Sequence, residues 1–122
     1  MKQGARILVV DDSQDIVDML RVALARHGFV IETTTSPEEA LSMASARPYD
    51  AALLDLVMPG RDGAALAQAL REKNPGLPVA LLTAYTNSPL LPAAERAGVR
   101  VFAKPTSIAD LVDFLRAELG SR

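Results

Sequence analysis

Cysteine is absent from the 122 residues, and histidine occurs once, at His27. The lack of cysteine rules out disulfides and thiolate metal sites. It is typical of a reducing compartment, so we expect a cytoplasmic location. A single histidine excludes a metal cluster built from several histidines. Near the end of a predicted helix, His27 is expected to be an ordinary solvated residue.

Long apolar runs and a strong net charge are also missing. No stretch of 18 consecutive apolar residues occurs, so we predict no membrane span. The start, MKQGARILVVDD, has only a very short apolar run that ends in two acids, unlike a signal peptide. The net charge of −2 gives no general attraction to nucleic acid or to an anionic membrane. The signatures G-x-x-x-x-G-K-[ST] and G-x-G-x-x-G, typical of nucleotide sites, do not occur.

What the sequence does contain is a regular alternation of apolar strands and amphipathic helices. A chain of this length fits one domain, so we predict a single domain over residues 1–122. Short apolar runs predict five strands, at residues 6–10, 29–35, 51–56, 77–83 and 100–104. Capping residues predict where four helices begin: Ser13 or Asp12, Ser36 before Pro37, Asp62 before Gly63, and Ser107 or Thr106. This alternation predicts an α/β fold with a parallel sheet covered by helices on both faces.

One segment departs from this regularity. A helix is due between Thr83 and Gly98, but Pro89 and Pro92 lie within it. Proline lacks the amide donor and clashes with the preceding turn of a helix. We therefore predict a short helix that starts near Leu91, with Pro92 in its first turn and residues 84–90 irregular.

Polar side chains stand where the predicted strands end. Asp11 and Asp12 follow the first strand, and Asp55 lies at the end of the third. Thr83 ends the fourth strand, and Lys104 ends the fifth. Because the carboxyl ends of parallel strands meet at one edge of a sheet, where ligands bind in open α/β sheets, these side chains should converge in one shallow pocket.

Three carboxylates in one pocket repel one another, and a hard divalent cation removes that conflict. Mg²⁺ prefers oxygen ligands and accepts phosphate oxygens, and Mn²⁺ is expected to substitute for it. Asp55 is a candidate nucleophile, because carboxylates form aspartyl phosphates. Thr83 and Lys104 are then candidates to bind the phosphoryl oxygens.

Taken singly, each residue has an ordinary structural explanation. Asp12 is a common helix cap, Asp55 can start a turn, and Thr83 and Lys104 are unremarkable at strand ends. Their joint arrangement favours a single site. A phosphatase of the haloacid-dehalogenase type is disfavoured, because it needs a second aspartate two residues after the nucleophile, where this chain has Val57.

Four motifs carry a family resemblance that covers essentially the whole chain. They are VVDD at 9–12, LLDLVMPGRDG at 53–63, LLTAY at 81–85 and AKP at 103–105. With these motifs the chain resembles the receiver domain of two-component response regulators. The resemblance implies a flavodoxin-like, five-stranded parallel sheet in the order 2-1-3-4-5. This strand order follows from the family and not from the periodicity of the chain.

The resemblance also implies roles for the polar residues. Asp55 is expected to be the phosphoacceptor, Asp12 a direct Mg²⁺ ligand and Asp11 a ligand acting mainly through water. The backbone carbonyl of Val57 is expected to complete the metal site. No further cofactor is implied.

The family's activity follows from the same resemblance. The donor should be a phosphohistidine on a sensor histidine kinase or a histidine phosphotransfer protein. Thr83 and Lys104 should read the phosphoryl group, and a conformational shift should then regulate an output partner that the sequence does not identify. Such a domain is not an enzyme acting on a separate substrate. The alternatives are a phosphorelay intermediate or a phosphate sink, and, with less support, a binding module that is never phosphorylated.

The chain departs from the family at the expected aromatic switch. Many relatives carry Tyr or Phe three residues before the lysine, where this chain has Val101 and places Phe102 one residue later. Strand alternation predicts that Val101 and Phe102 face opposite sides of the sheet. The resemblance further predicts a cis peptide bond between Lys104 and Pro105.

Two other residues bear on how long a phosphoryl group would persist. In receivers, the positions two after the phosphoacceptor and two after the threonine flank the path of the hydrolysing water. Here they are Val57 and Tyr85. Valine cannot orient water, and tyrosine is large enough to cover the phosphoryl group. We therefore predict slow self-dephosphorylation.

Overall fold

A computed structural model describes residues 4–120. Its elements in chain order are β1 (Arg6–Val10), α1 (Gln14–Ala25), β2 (Val30–Thr34), α2 (Pro37–Ala46), β3 (Ala51–Asp55), α3 (Gly63–Lys73), β4 (Val79–Thr83), α4 (Leu91–Arg96), β5 (Arg100–Ala103) and α5 (Ile108–Leu119). Residues 1–3 and 121–122 of the predicted domain lie outside the described part. No described helix is long and apolar enough to cross a membrane.

The five strands form one parallel sheet in the order β2-β1-β3-β4-β5, which confirms the predicted order. Register pairs Val10 with Leu54, Leu54 with Leu81, and Leu81 with Val101. Every residue of β3 and β4 is buried, because helices cover both faces of the sheet. The edge strands β2 and β5 are partly exposed and correspondingly more polar.

Alternate residues of the strands enter two separate cores. Leu8, Leu54 and Leu81 point to the side covered by α2, α3 and α4, which we call the α3 side. Ile7 and Leu53 point to the side covered by α1 and α5, the α5 side. Each fully buried leucine or isoleucine stabilises the fold by about 1.5–3 kcal/mol, so this alternation fixes the register of the sheet.

The helices start at residues whose side chains cap them. Four side-chain oxygens each accept a hydrogen bond from an amide of the first turn: Ser13 from Ile16, Ser36 from Glu39, Asp62 from Ala65 and Ser107 from Asp110. Where the sequence left two candidates, the structure selects Ser13 and Ser107. Each cap satisfies one of the backbone donors that a helix start leaves unpaired.

Helix α4 has only six residues and begins at Leu91, with Pro92 in its first turn and residues 84–90 in bends and turns, as predicted. It has no side-chain cap at its start. Its far end is held by Arg71 of α3, whose guanidinium donates to the carbonyl oxygens of Ala97 and Gly98, and through Nε to Leu77 O at 3.1 Å. One side chain therefore joins α3 to the segment before β4 and to the turn after α4.

The side chains of β5 divide between the two cores as predicted. Val101 packs against the α3 side and Phe102 against the α5 side. The Phe102 ring meets Phe114 of α5 edge to face, with ring centroids 5.8 Å apart and planes at 77°. The Arg100 guanidinium lies over the Phe102 ring at 5.0 Å from its centroid. The peptide bond between Lys104 and Pro105 is cis, also as predicted.

Candidate functional site

The carboxyl ends of two central strands bring three carboxylates together. Asp55 is the last residue of β3, and Asp11 and Asp12 follow β1. One carboxylate oxygen from each of these residues lies within 4.8 Å of the other two. We call these three residues the acidic cluster.

Lys104, which follows β5, reaches across the sheet edge into the acidic cluster. Its Nζ donates to Asp11 Oδ2 at 2.9 Å and to Asp55 Oδ1 at 3.1 Å. The other oxygen of Asp11, Oδ1, accepts a hydrogen bond from the backbone amide of Ser13 at 2.9 Å. Two of the three carboxylates are therefore held in place by donors from different elements.

Burial sets the electrostatics of this cluster. Asp11 and Asp55 are 2% and 8% exposed, whereas Asp12 is open to solvent. Burial raises the pKa of Asp55, and the charges of Asp11 and Asp12 raise it further, while the hydrogen bond and charge of Lys104 act in the opposite direction. Burial alone would lower the pKa of Lys104, but its hydrogen bonds to Asp11 and Asp55 and the charges of both carboxylates raise it. The site thus has one ammonium group for three carboxylates, so an added cation would offset negative charge that Lys104 does not.

Thr83, the last residue of β4, is 1% exposed and lies beside this edge of the sheet. Its hydroxyl oxygen accepts a hydrogen bond from the Tyr85 amide at 2.8 Å. Its backbone carbonyl accepts from the Lys104 amide at 2.8 Å, which ties the ends of β4 and β5 together. Because a hydroxyl is both donor and acceptor, this bond leaves the Thr83 proton uncommitted.

Val57 and Tyr85 line one open groove, which extends to Pro89. The two residues are 49% and 62% exposed. Among the described residues, neither side chain hydrogen-bonds to the three carboxylates. Val101, Phe102 and Pro105, also singled out from the sequence, lie along β5 and its end, outside the cluster.

Two contributors to the site were not predicted. The Ser13 amide fixes Asp11, although the sequence indicated Ser13 only as a helix cap. The backbone of Gly63 packs directly on the carbonyl group of Asp55. The sequence predicts Asp62-Gly63 as a helix start and as the end of the motif at 53–63, and neither indicates a contact with the Asp55 backbone.

The donor set fits a hard divalent cation. Carboxylate oxygens are the ligands that Mg²⁺ takes from proteins, usually one or two of them together with water and phosphate oxygens. A cluster in which one carboxylate faces solvent and two are buried matches that pattern. Among residues 4–120, no thiolate or imidazole accompanies it that would favour a softer metal.

Comparison with known proteins gives consistent results. The family model described as the response regulator receiver domain matches residues 7–116. The chain is 36% identical over 118 residues to the transcriptional regulatory protein PrrA of Mycobacterium tuberculosis, covering 96% of the chain and 51% of that protein. It is 38% identical over 117 residues to the response regulator MprA of Mycobacterium ulcerans, covering 95% and 50%. The chain spans about half the length of the curated relatives it matches.

Solved structures agree with the sequence comparison. A putative response regulator from Chloroflexus aurantiacus superposes with a TM-score of 0.87 at 30% identity, over 97% of this chain and 99% of that one. A CheY-like receiver domain protein from Methanospirillum hungatei gives a TM-score of 0.91 at 25% identity, over 98% and 96%. The likeness therefore extends over the whole described fold as well as the motifs.

Proposed function

This chain belongs to the response regulator receiver domain family of two-component signalling, and from that premise we propose that residues 1–122 form one receiver domain phosphorylated on Asp55. The observation that carries the proposal is the bridge from Lys104 to Asp11 and Asp55 within the acidic cluster. It keeps a buried carboxylate beside a cation at the sheet edge where ligands bind.

The chemistry is a transfer between two nucleophiles. An oxygen of Asp55 attacks the phosphorus of a phosphohistidine, the P–N bond breaks, and the imidazole leaves as an acyl phosphate forms on the aspartate. Lys104 stabilises charge on the phosphoryl oxygens, and the Thr83 hydroxyl donates a hydrogen bond to one of them. The side chains therefore supply the nucleophile, positioning and charge.

Asp11, Asp12, Asp55 and the backbone carbonyl of Val57 are proposed to hold Mg²⁺, or Mn²⁺ in its place. When bound, the cation supplies positive charge that offsets the carboxylates and the arriving phosphate. The oxygen-only composition of the acidic cluster supports this choice.

The proposed donor is a sensor histidine kinase or a histidine phosphotransfer protein in the cytoplasm. The chain signals through its own phosphorylation and does not turn over a separate substrate. The residue two positions after Asp55 supports this, because Val57 is aliphatic and cannot act as an acid or base. The output partner is proposed to sense a conformational shift. The relative PrrA is named a transcriptional regulatory protein and MprA a response regulator, and this chain spans about half of each.

Acetyl phosphate tests the proposal directly. With Mg²⁺, intact mass should show one added phosphoryl group, and removal of Mg²⁺ with a chelator should abolish it. Asp55→Asn should gain none, whereas Asp110→Asn, an exposed aspartate on α5, should be labelled like wild type. Equal labelling of Asp55→Asn and wild type would assign the nucleophile elsewhere, and an unlabelled wild type would reject the function.

A further inference from the structure

Gly63 touches the backbone of Asp55. It is the buried first residue of α3, and its amide donates to the carbonyl oxygen of Leu56 at 2.7 Å. A Cβ atom added to Gly63 would lie 2.1 Å from the carbonyl oxygen of Asp55, and 2.9 Å from both the carbonyl carbon of Asp55 and the Cα of Leu56. All three are backbone atoms, so none can swing aside as a side chain would.

Residue 63 must be glycine because there is no space for a side chain, and not because of an unusual backbone angle. Gly60, in the same loop, has φ of +87°, a conformation that favours glycine, yet nothing lies within 4 Å of the place a Cβ would take. Gly63 is not among the glycines with positive φ. The two glycines of this loop thus serve different purposes, one in bending the chain and the other in allowing close approach.

The backbone that Gly63 touches is held from both sides. The Leu56 amide donates to Leu82 O of β4 at 3.1 Å, and the Leu56 carbonyl accepts from Gly63. The backbone of Leu56 is therefore held between β4 and the start of α3, through its amide on one side and its carbonyl on the other. The 3.1 Å contact of Asp55 Oδ1 with Lys104 depends on where that backbone lies.

We propose that Gly63 is a positioning residue for the phosphoacceptor, because its missing side chain lets α3 set the location of Asp55 relative to Lys104 and the acidic cluster. The inference rests on the proposed function. In-line transfer needs the nucleophile in a narrow range of positions, and a displacement of about 1 Å can cost roughly a hundredfold in rate. A methyl group at residue 63 must push the start of α3 and the Asp55 backbone apart to relieve its contact with the carbonyl oxygen.

Gly63→Ala tests this, with Gly60→Ala as the matched control in the same loop. The rate constant for phosphorylation by acetyl phosphate is measured at saturating donor and Mg²⁺, at a temperature where each variant is folded by circular dichroism. Gly63→Ala should be slower by about tenfold or more, with little change in the KM for acetyl phosphate. Gly60→Ala should lose stability through its strained φ and keep its rate within about threefold of wild type.

The outcomes separate cleanly. If Gly63→Ala is less stable but phosphorylated as fast as wild type, Gly63 only supports the fold and the inference is wrong. If Gly60→Ala slows equally, general loop strain explains the effect and the inference is also wrong. An unlabelled wild type would instead overturn the proposed function. Should Gly63→Ala be unfolded in buffer, the three rates are compared at low temperature in trimethylamine N-oxide, which favours compact states.

Discussion

Two groups of charged side chains adjoin the same sheet, and they differ in how their charges are matched. In the Arg6 cluster, formed by Arg6, Glu32 and Tyr49, the guanidinium donates to Glu32 Oε2 through Nε at 3.2 Å and Nη2 at 2.8 Å. The Tyr49 hydroxyl donates to Glu32 Oε1 at 2.7 Å, and Arg6 lies over the Tyr49 ring. In the acidic cluster, by contrast, Lys104 is shared between two carboxylates and a third stands nearby.

The two clusters shift acid pKa values in opposite directions. Burial tends to raise the pKa of Glu32, but its hydrogen bonds from Tyr49 and Arg6 and the charges of Arg6 and Arg47 lower it overall. Burial and neighbouring carboxylates raise the pKa of Asp55. The pKa of Tyr49 is raised to about 12, with burial as the main cause and the bond to Glu32 next. The Arg6 cluster satisfies its charges within the fold, whereas the acidic cluster has more carboxylates than cations.

Removing Arg6 should break the Arg6 cluster and give the largest loss of stability. Arg6→Met removes the cation that is hydrogen-bonded to Glu32. Because the Glu32 side chain is 34% exposed, we expect a loss of about 2 kcal/mol, below the range for fully buried pairs. Urea unfolding at pH 7 measures it. The control Arg21→Met removes a largely exposed pair with Asp18 and should cost less than about 1 kcal/mol. Equal losses would mean that the Arg6 cluster contributes no more to stability than an exposed ion pair.

Removing Asp12 should weaken Mg²⁺ binding and reduce the charge repulsion within the acidic cluster. At Mg²⁺ tenfold above its dissociation constant, binding stabilises wild type by about 1.4 kcal/mol, and Asp12→Ala should lose most of this. Without metal, the variant should match or exceed wild type, because one repelling carboxylate has gone. Thermal unfolding with and without Mg²⁺ measures both effects. Asp15→Ala, in the first turn of α1, is the control, and an undiminished Mg²⁺ response in Asp12→Ala would remove Asp12 from the metal site.

Glu32→Gln should give a pH-dependent loss. Because the pKa of Glu32 is lower in the folded chain than its ordinary value of 4.5, its contribution is fully present above pH 4.5 and disappears as the pH falls through the lowered pKa. The variant should therefore be about 1 kcal/mol less stable than wild type at neutral pH, and the gap should close on acidification. Urea unfolding across that range tests this. A gap that widens at low pH would contradict the sign.

The two tyrosines extend the comparison to a smaller effect. Tyr49 is buried within the Arg6 cluster, whereas Tyr85 is 62% exposed in the loop after Thr83. We predict that Tyr85 and Val57 shield an acyl phosphate from water, so Tyr85→Ala and Val57→Asn should each shorten its lifetime about threefold, or roughly 0.7 kcal/mol of barrier. Loss of the added mass after desalting measures the lifetime. A longer lifetime in Tyr85→Ala would show that the hydroxyl assists hydrolysis, and Tyr85→Phe isolates that hydroxyl.

Local patterns were enough to predict most of the fold. Apolar runs located all five strands, and prolines located the short α4. The boundary of β4 was wrong by two residues, since Pro78 has no amide to donate and the strand begins after it, at Val79. The order of the strands came from the family resemblance, because periodicity does not distinguish one parallel order from another.

The site was predictable only in outline. Parallel strand ends meet at one edge, which led from sequence to Asp11, Asp55 and Lys104 as neighbours. The sequence did not indicate that Lys104 bonds to both carboxylates, nor that Gly63 lies on Asp55, because such contacts depend on side-chain reach and loop closure. The Arg6 cluster was missed for the same reason, since Glu32 and Tyr49 are distant from Arg6 in the chain.

The hydrogen bonds from Arg71 to Ala97 and Gly98 make the two ends of α4 unequal. Its far end is tied to α3, whereas its start has no side-chain cap and is held by Leu91, which is 4% exposed and packs in the core of the α3 side. Six residues at about 1.5 Å of rise make a helix roughly 9 Å long, so a tilt of about 20° about the Arg71 end would move the start by about 3 Å. Such a tilt would have to shift Leu91 within the core, whereas the exposed Leu90 would move with the loop that carries Tyr85.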